Sequence, residues 1–172
     1  MMRRSRYLLP VLLLAGVIHA QATATPVPVV APAPMLKAQY DWGYAGADGQ
    51  GKGDLTVQLD PATGQAILEL QGLGERLMLL QGDRASGYRV QIPRQKIDAS
   101  APTLAAVPLP FFPQMGSVEA LYQLLSQGAG AGVKVSKRDK LGPVKLTYKG
   151  TDDKGREIMV WLARTRWELQ GQ

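Results

Sequence analysis

From residue 35 onward, apolar and polar positions alternate with a period of two. Leu36, Ala38, Tyr40, Trp42 and Tyr44 are interleaved with Lys37, Gln39, Asp41 and Gly43, the pattern of a strand with one face in the core and one in water. The glycine-rich stretch Gly46 to Gly53 predicts a turn, after which Leu55, Val57 and Leu59 alternate with Asp54, Thr56, Gln58 and Asp60. Asp60-Pro61-Ala62-Thr63-Gly64 is a strong turn signal, because proline presets φ and glycine tolerates a positive φ. Gln65 to Gln71, Arg76 to Leu80 and Gly87 to Ile92 follow as further short strands, separated by Gly72-Leu73-Gly74 and Gly82-Asp83. Evenly spaced strands with tight turns predict an antiparallel meander, either open or closed into a barrel.

The pattern then changes. Ala99 to Pro113 is dense in alanine and proline and resists both helix and central strand. Ser117 is placed as an N-cap, with Glu119 in the first turn where the helix dipole favours an acid. Val118, Leu121, Tyr122 and Leu125 fall at i, i+3, i+4 and i+7, one apolar stripe of a short helix that Gly128 and Gly130 end. Strands resume with Val133 and Val135, then Val144, Leu146 and Tyr148. A hairpin at Thr151 to Gly155 leads into a long last strand, Arg156 to Glu168. That strand is apolar on both faces through its middle, with Ile158, Val160 and Leu162 on one and Met159, Trp161 and Ala163 on the other. It is expected to lie between two apolar layers, with the Ser117 helix packed inside a curved sheet.

Ahead of these elements stand two segments of different character. Arg3, Arg4 and Arg6 form a positive n-region, Tyr7 to Ile18 an apolar h-region, and Ala20-Gln21-Ala22 a small-x-small cleavage pattern. The apolar run is shorter than the ~20 residues of a membrane-spanning helix and is interrupted by Pro10. Residues 1–22 are therefore expected to be a cleavable signal peptide, cut after Ala22 or next after Ala20. They would deliver the mature chain to the periplasm. Residues 23–34, rich in proline and alanine, form an extended linker, and residues 35–170 a single domain.

Composition narrows the chemistry. The sequence contains no cysteine, so packing alone must hold the fold in an oxidising compartment. The single histidine, His19, lies in the signal. Without His or Cys the mature chain has no means to build a Ser-His-Asp triad, a Cys-His pair or an ordinary zinc site. Asp48, Asp60, Asp83, Asp152 and Asp153 sit in turn-like stretches, and a glycosidase would need two such acids to converge in a cleft. The expectation is a protein that is not an enzyme and needs no cofactor. From Val133 to the end there are ten Lys or Arg against five acids, whereas Thr23 to Gly132 has seven against nine. The basic C-terminal half suits lipid phosphates or an acidic partner, or is simply the wet face of strands. Nucleic acid is a poor partner on grounds of compartment.

Two segments resemble the lipoprotein carrier and receptor proteins of the Lol pathway, the LolA/LolB-like superfamily. Ile67 to Asp83 is similar to the receptor's third and fourth strands, where a Pro-Leu-Gly turn joins two apolar-rich strands; here the turn reads Gly72-Leu73-Gly74. Gly142 to Tyr148 followed by Glu157 to Trp167 resembles the family's closing hairpin, which ends near a tryptophan. The resemblance implies a mainly β fold with one or more short helices: an antiparallel, curved, unclosed β-barrel with a helix capping or plugging its concave side. It also implies a hydrophobic cavity for lipoprotein acyl chains, and it gives Leu73 the role of the membrane-touching leucine. The receptor is anchored through a lipidated N-terminal cysteine, and this sequence has none.

These readings define the candidate site. Leu68, Leu70, Leu77 and Leu79 on the paired strands, Leu121 and Leu125 on the helix, and Trp161 and Trp167 are candidates to line a ligand cavity, the alternative for each being plain core. The two tryptophans, at i and i+6, are expected to share one strand face. Leu73, Phe111 and Phe112 are candidates for a lid or membrane contact, unless Leu73 folds back onto the sheet and the two phenylalanines staple a crossing to the core. The partner expected is a lipid or acyl chain bound by a monomer, with transient outer-membrane contact. The alternative is an envelope interaction module that docks an acidic partner through its basic half.

Overall fold

The structure is a computed structural model that describes residues 33–107, 116–152 and 154–170. Nine strands form one antiparallel sheet: β1 (Met35–Gly46), β2 (Gly49–Asp60), β3 (Gln65–Gly72), β4 (Glu75–Asp83), β5 (Gly87–Ile92), β6 (Ile97–Ala101), β7 (Val133–Asp139), β8 (Gly142–Thr151) and β9 (Glu157–Gln170). The spatial order is β6-β5-β4-β3-β2-β1-β9-β8-β7. The meander of the first six strands and the meander of the last three are thus joined by β1 against β9. Nothing pairs β6 with β7, so the curved sheet stays unclosed.

One face of this sheet is the core. Leu36, Ala38, Tyr40 and Trp42 of β1, Leu55, Val57 and Leu59 of β2, Leu68 and Leu70 of β3, Met78 and Leu80 of β4, and Leu162 of β9 all point to it. The helix α1 (Val118–Gln127) lies on that concave side, where Val118, Leu121 and Leu125 join the same apolar cluster. Its start and stop follow the chemistry anticipated from sequence. The Ser117 hydroxyl accepts the Ala120 N–H at 3.1 Å, and Gly128 closes the helix at φ 72° with its N–H on the Leu124 carbonyl. Arg84 of the β4–β5 turn pairs with Glu119 at the helix start, and Arg138 of β7 donates to the Gln127 carbonyl at its end, so the helix is tied to both wings of the sheet.

Three sequence expectations need correction. The Gly46–Gly53 stretch is mostly strand: the turn is residues 47–48, and β2 begins at Gly49. The glycines serve the neighbouring strand. Trp42 lies across from Gly53 and reaches over it to donate its indole N–H to the Gln71 carbonyl at 2.9 Å, where a Cβ on Gly53 would meet that same oxygen. Ile97–Ala101 is a strand, because an edge position needs only one row of hydrogen bonds and Pro102 falls just beyond it. The last strand has one dry face rather than two, since Met159 and Trp161 are each 37% exposed. Trp161 instead lies flat over Gly43 of β1, where an added Cβ would sit 2.0 Å from the indole.

Leu125 is held between the helix and the sheet and is 1% exposed. Leu125→Ala is expected to destabilise the fold by about 2–5 kcal/mol, read as a lower urea midpoint at unchanged slope. A smaller loss would mean that the helix is not a structural part of the core.

Candidate functional site

A cleft opens at the end of the sheet where the β1–β2 and β3–β4 turns meet. Its volume is about 610 Å³, within the usual range for small-ligand sites. Trp42, Tyr44, Leu73, Leu77, Met159 and Trp161 supply its apolar lining. Gly51 and Gly72 open the space between them, and Lys52 and Arg94 are the charged members. No acid is among the described residues that line it. Arg94 is paired with Glu75 at 2.9 Å, an exposed bridge that positions more than it stabilises.

Leu73 is the protruding member, 88% exposed and at φ 53°. It does not fold back onto the sheet. With Gly74 at φ 78° it forms the two-residue turn of the β3–β4 hairpin, both central residues being left-handed. Such turns favour Asn-Gly, and a leucine there carries both backbone strain and unprotected apolar surface. Strain and exposure coincide at one residue.

The other candidates are divided among distinct places. Leu68, Leu70, Leu121 and Leu125 are buried in the core at 4% exposure or less, away from the cleft's lining. Leu79 points to the outer face, across from Glu69, because the core positions of β4 are Met78 and Leu80. Leu77 is the extra residue of a bulge, with Leu70 across from Met78 but Gln71 across from Arg76, and this turns it toward Gly72 and the cleft. Phe111 and Phe112 lie outside the described residues, as do residues 1–32, where the signal peptide and most of the linker were expected.

Trp161 and Trp167 do not share a face. Gln39 pairs with Arg166 and Tyr40 with Arg164, so Thr165 is a bulge that reverses the alternation. Trp161, across from Gly43, faces outward, whereas Trp167, across from Ala38, faces the core. There the Arg164 guanidinium stands 5.0 Å from the Trp167 ring centroid, a cation–π pair, and is held by Asp139 of β7. Tyr40 is across from Arg164, and burial pushes its phenol far up despite that positive neighbour. The hydrogen bond from Arg164, aided by the Leu141 N–H, holds the Asp139 carboxyl below its ordinary value of 3.8.

The acids singled out from sequence shape turns. Asp60 accepts from the Ala62 N–H, Asp83 from those of Ala85 and Ser86, and Asp152 from those of Lys154 and Arg156. Asp48 pairs with Arg156, and Asp153 lies outside the described residues. Sequence reasoning missed Trp42, Tyr44, Met159, Lys52 and Arg94 as cleft residues. The available signal was the small pair Gly51 and Gly53 across from Tyr44 and Trp42, a gap beside two large rings. No protein-family model matches the chain, and no curated protein does either. Fold and site together define a mainly β protein built as an unclosed antiparallel sheet, with a helix on its concave side and an apolar cleft at one end.

Two outcomes test this geometry. Leu73→Asn removes the strain and the exposed side chain, and is expected to raise stability by about 1 kcal/mol, measured by urea unfolding; an unchanged or lower midpoint refutes the strained turn. Asp139→Asn probes the second feature. A carboxyl held below 3.8 in the fold contributes stability that is present above that value and lost as pH falls through its folded value. The variant is therefore expected to melt below the parent at pH 7, with the gap closing below about pH 4. A gap constant with pH would show that the Arg164 pairing is not linked to proton uptake.

Proposed function

We propose that this chain is an exported, non-enzymatic protein of the periplasm that binds acyl chains, such as those of lipoproteins, or a similar hydrophobic ligand. The observation that carries this reading is the cleft itself: about 610 Å³, walled by Trp42, Tyr44, Leu73, Leu77, Met159 and Trp161, with no acid among the described residues of its lining. Transfer of an acyl chain into such a space is favourable by ~0.8 kcal/mol for each buried CH₂. No covalent step is needed: desolvation binds the chain, and access through the open mouth releases it.

Three further features support the reading. The n-, h- and cleavage-region pattern of residues 1–22 fits export. The motifs similar to the LolA/LolB-like superfamily occupy β3–β4 and β8–β9, and the nine-stranded unclosed sheet with an inner helix is the architecture that this resemblance implies. Leu73 stands at the cleft's rim, where a residue that touches the membrane would hand a chain to or from the lipid. The role is then one of carriage or reception in envelope biogenesis, by a monomer that contacts the outer membrane transiently.

Gly51 offers a clean test. A Cβ there would make only an ordinary contact with Trp42 at 3.5 Å, so a larger side chain fills the cleft without moving backbone. Gly51→Leu is expected to lower the affinity for the neutral fluorophore N-phenyl-1-naphthylamine at least tenfold, with thermal stability kept. Native mass spectrometry of the parent, purified from membranes without detergent, is expected to show bound lipid that the variant lacks. A parent that binds neither probe nor lipid would overturn the reading.

A further inference from the structure

The outer face of the sheet carries an uneven charge where β7, β8 and β9 lie side by side. Lys145 and Lys149 are exposed outward residues of β8, with Thr147 between them. On β7, Lys134 is across from Thr147, and Lys137 is directly across from Lys145. The row through Thr147 continues over Trp161 of β9 and Gly43 of β1 to Lys52 of β2. Among the described residues, none of these five lysines has an ion-pair partner. The acids of this face stand at its margins: Glu157 at the start of β9, and Asp41 across from Asp54 on β1 and β2.

Like charges directly opposite each other in a ladder repel, so the Lys137–Lys145 pair costs stability. The lysines of β7 have a reason of their own, because that strand is an edge and positive charge blunts it. That reason does not extend to Lys145 and Lys149, since β8 is paired on both sides. A face kept only for solubility would intersperse both signs. Here two large apolar side chains lie among the cations instead. Met159 is across from Lys149 and Trp161 from Thr147, both partly exposed, and both also line the cleft together with Lys52.

We infer that this face docks on a lipid surface rich in anionic headgroups, with the lysines against phosphates and Met159 and Trp161 in the interfacial layer. The inference rests on the membrane contact proposed above, and adds to it the charge of that surface and the face that meets it. Charge complementarity alone would also admit an acidic protein. A lipid surface fits better because it offers both phosphates and an apolar layer, and tryptophan belongs where the two meet. Docking in this way brings the cleft to the bilayer, because Met159 and Trp161 belong to the face and to the cleft alike. Each lysine held near such a surface strengthens binding about fivefold.

The test is flotation of the full chain with vesicles of equimolar phosphatidylcholine and phosphatidylglycerol, residues 1–34 being common to parent and variants. The double variant Lys145→Gln/Lys149→Gln is expected to bind these vesicles about tenfold or more weakly than the parent. Lys37→Gln/Lys96→Gln removes the same charge outside this face, and is expected to weaken binding by less than about threefold. Added salt is expected to weaken the parent as the first variant does. That variant is expected to keep its affinity for N-phenyl-1-naphthylamine and to melt at the same or a higher temperature, one like-charge pair being relieved. Equal losses in the two double variants, or no loss in either, overturn the inference and leave the acyl-binding reading standing. Vesicle binding that survives Lys145→Gln/Lys149→Gln while binding to poly-L-glutamate is lost assigns the face to an acidic protein and overturns the lipid surface. A parent that takes up no fluorophore, with the vesicle losses as expected, overturns the acyl-binding reading alone.

Discussion

A sheet with one apolar face must bury that face, and among the described residues one α-helix, with Leu104 and Val107 of the stretch after β6, is what lies against nine strands of it. The solution is to curl the sheet so that its inner face covers itself, with α1 on the concave side. Most other features follow from this constraint. The β1–β9 pairing joins the two meanders, and without it neither would be wide enough to enclose a core. The arginines at 84 and 138 hold the two ends of the helix against opposite wings. The ends of the sheet are left with less to cover them, and there the large side chains of Trp42, Tyr44 and Trp161 line open space.

Much of this was legible in the sequence because its period is two and its turns are chemically explicit. Seven strands, the helix with its Ser117 cap and Gly128 stop, and the hairpin at Asp152 stand near their expected places. What was not legible belongs to pairing rather than to pattern. Glycines in β2 read as a turn, because the ring that needs their space is on another strand. Met159 and Trp161 read as a second buried layer, because composition alone does not reveal whether a partner layer exists. The face of Trp167 depended on one inserted residue, Thr165, which has no signature of its own.

The same distinction governs the site. Counting along β3 and β4 places leucines correctly in strands but cannot tell which of Leu77, Met78, Leu79 and Leu80 faces inward, and the bulge at Leu77 changes the answer within a single turn of the hairpin. Leu73 was singled out by the resemblance that its Gly72-Leu73-Gly74 turn carries, and its strained, exposed conformation gives that choice a physical content that sequence did not contain. Bulges and strain cluster near the cleft and the Arg164 neighbourhood, while the paired middle of the sheet is regular.

Among the described residues, an unclosed sheet also keeps two edges, along β6 and β7, that no further strand pairs, each a template for another strand. The two edges are blunted by different means. β6 is five residues long and is followed at once by Pro102, which has no N–H to offer. β7 carries Lys134, Lys137 and Arg138, and its pairing with β8 is broken near Ser136, so a second copy laid along it would meet like charge and a broken register. Openness of the cleft is thereby separated from openness toward self-association: the chain exposes an apolar mouth while its edges resist growth into aggregates.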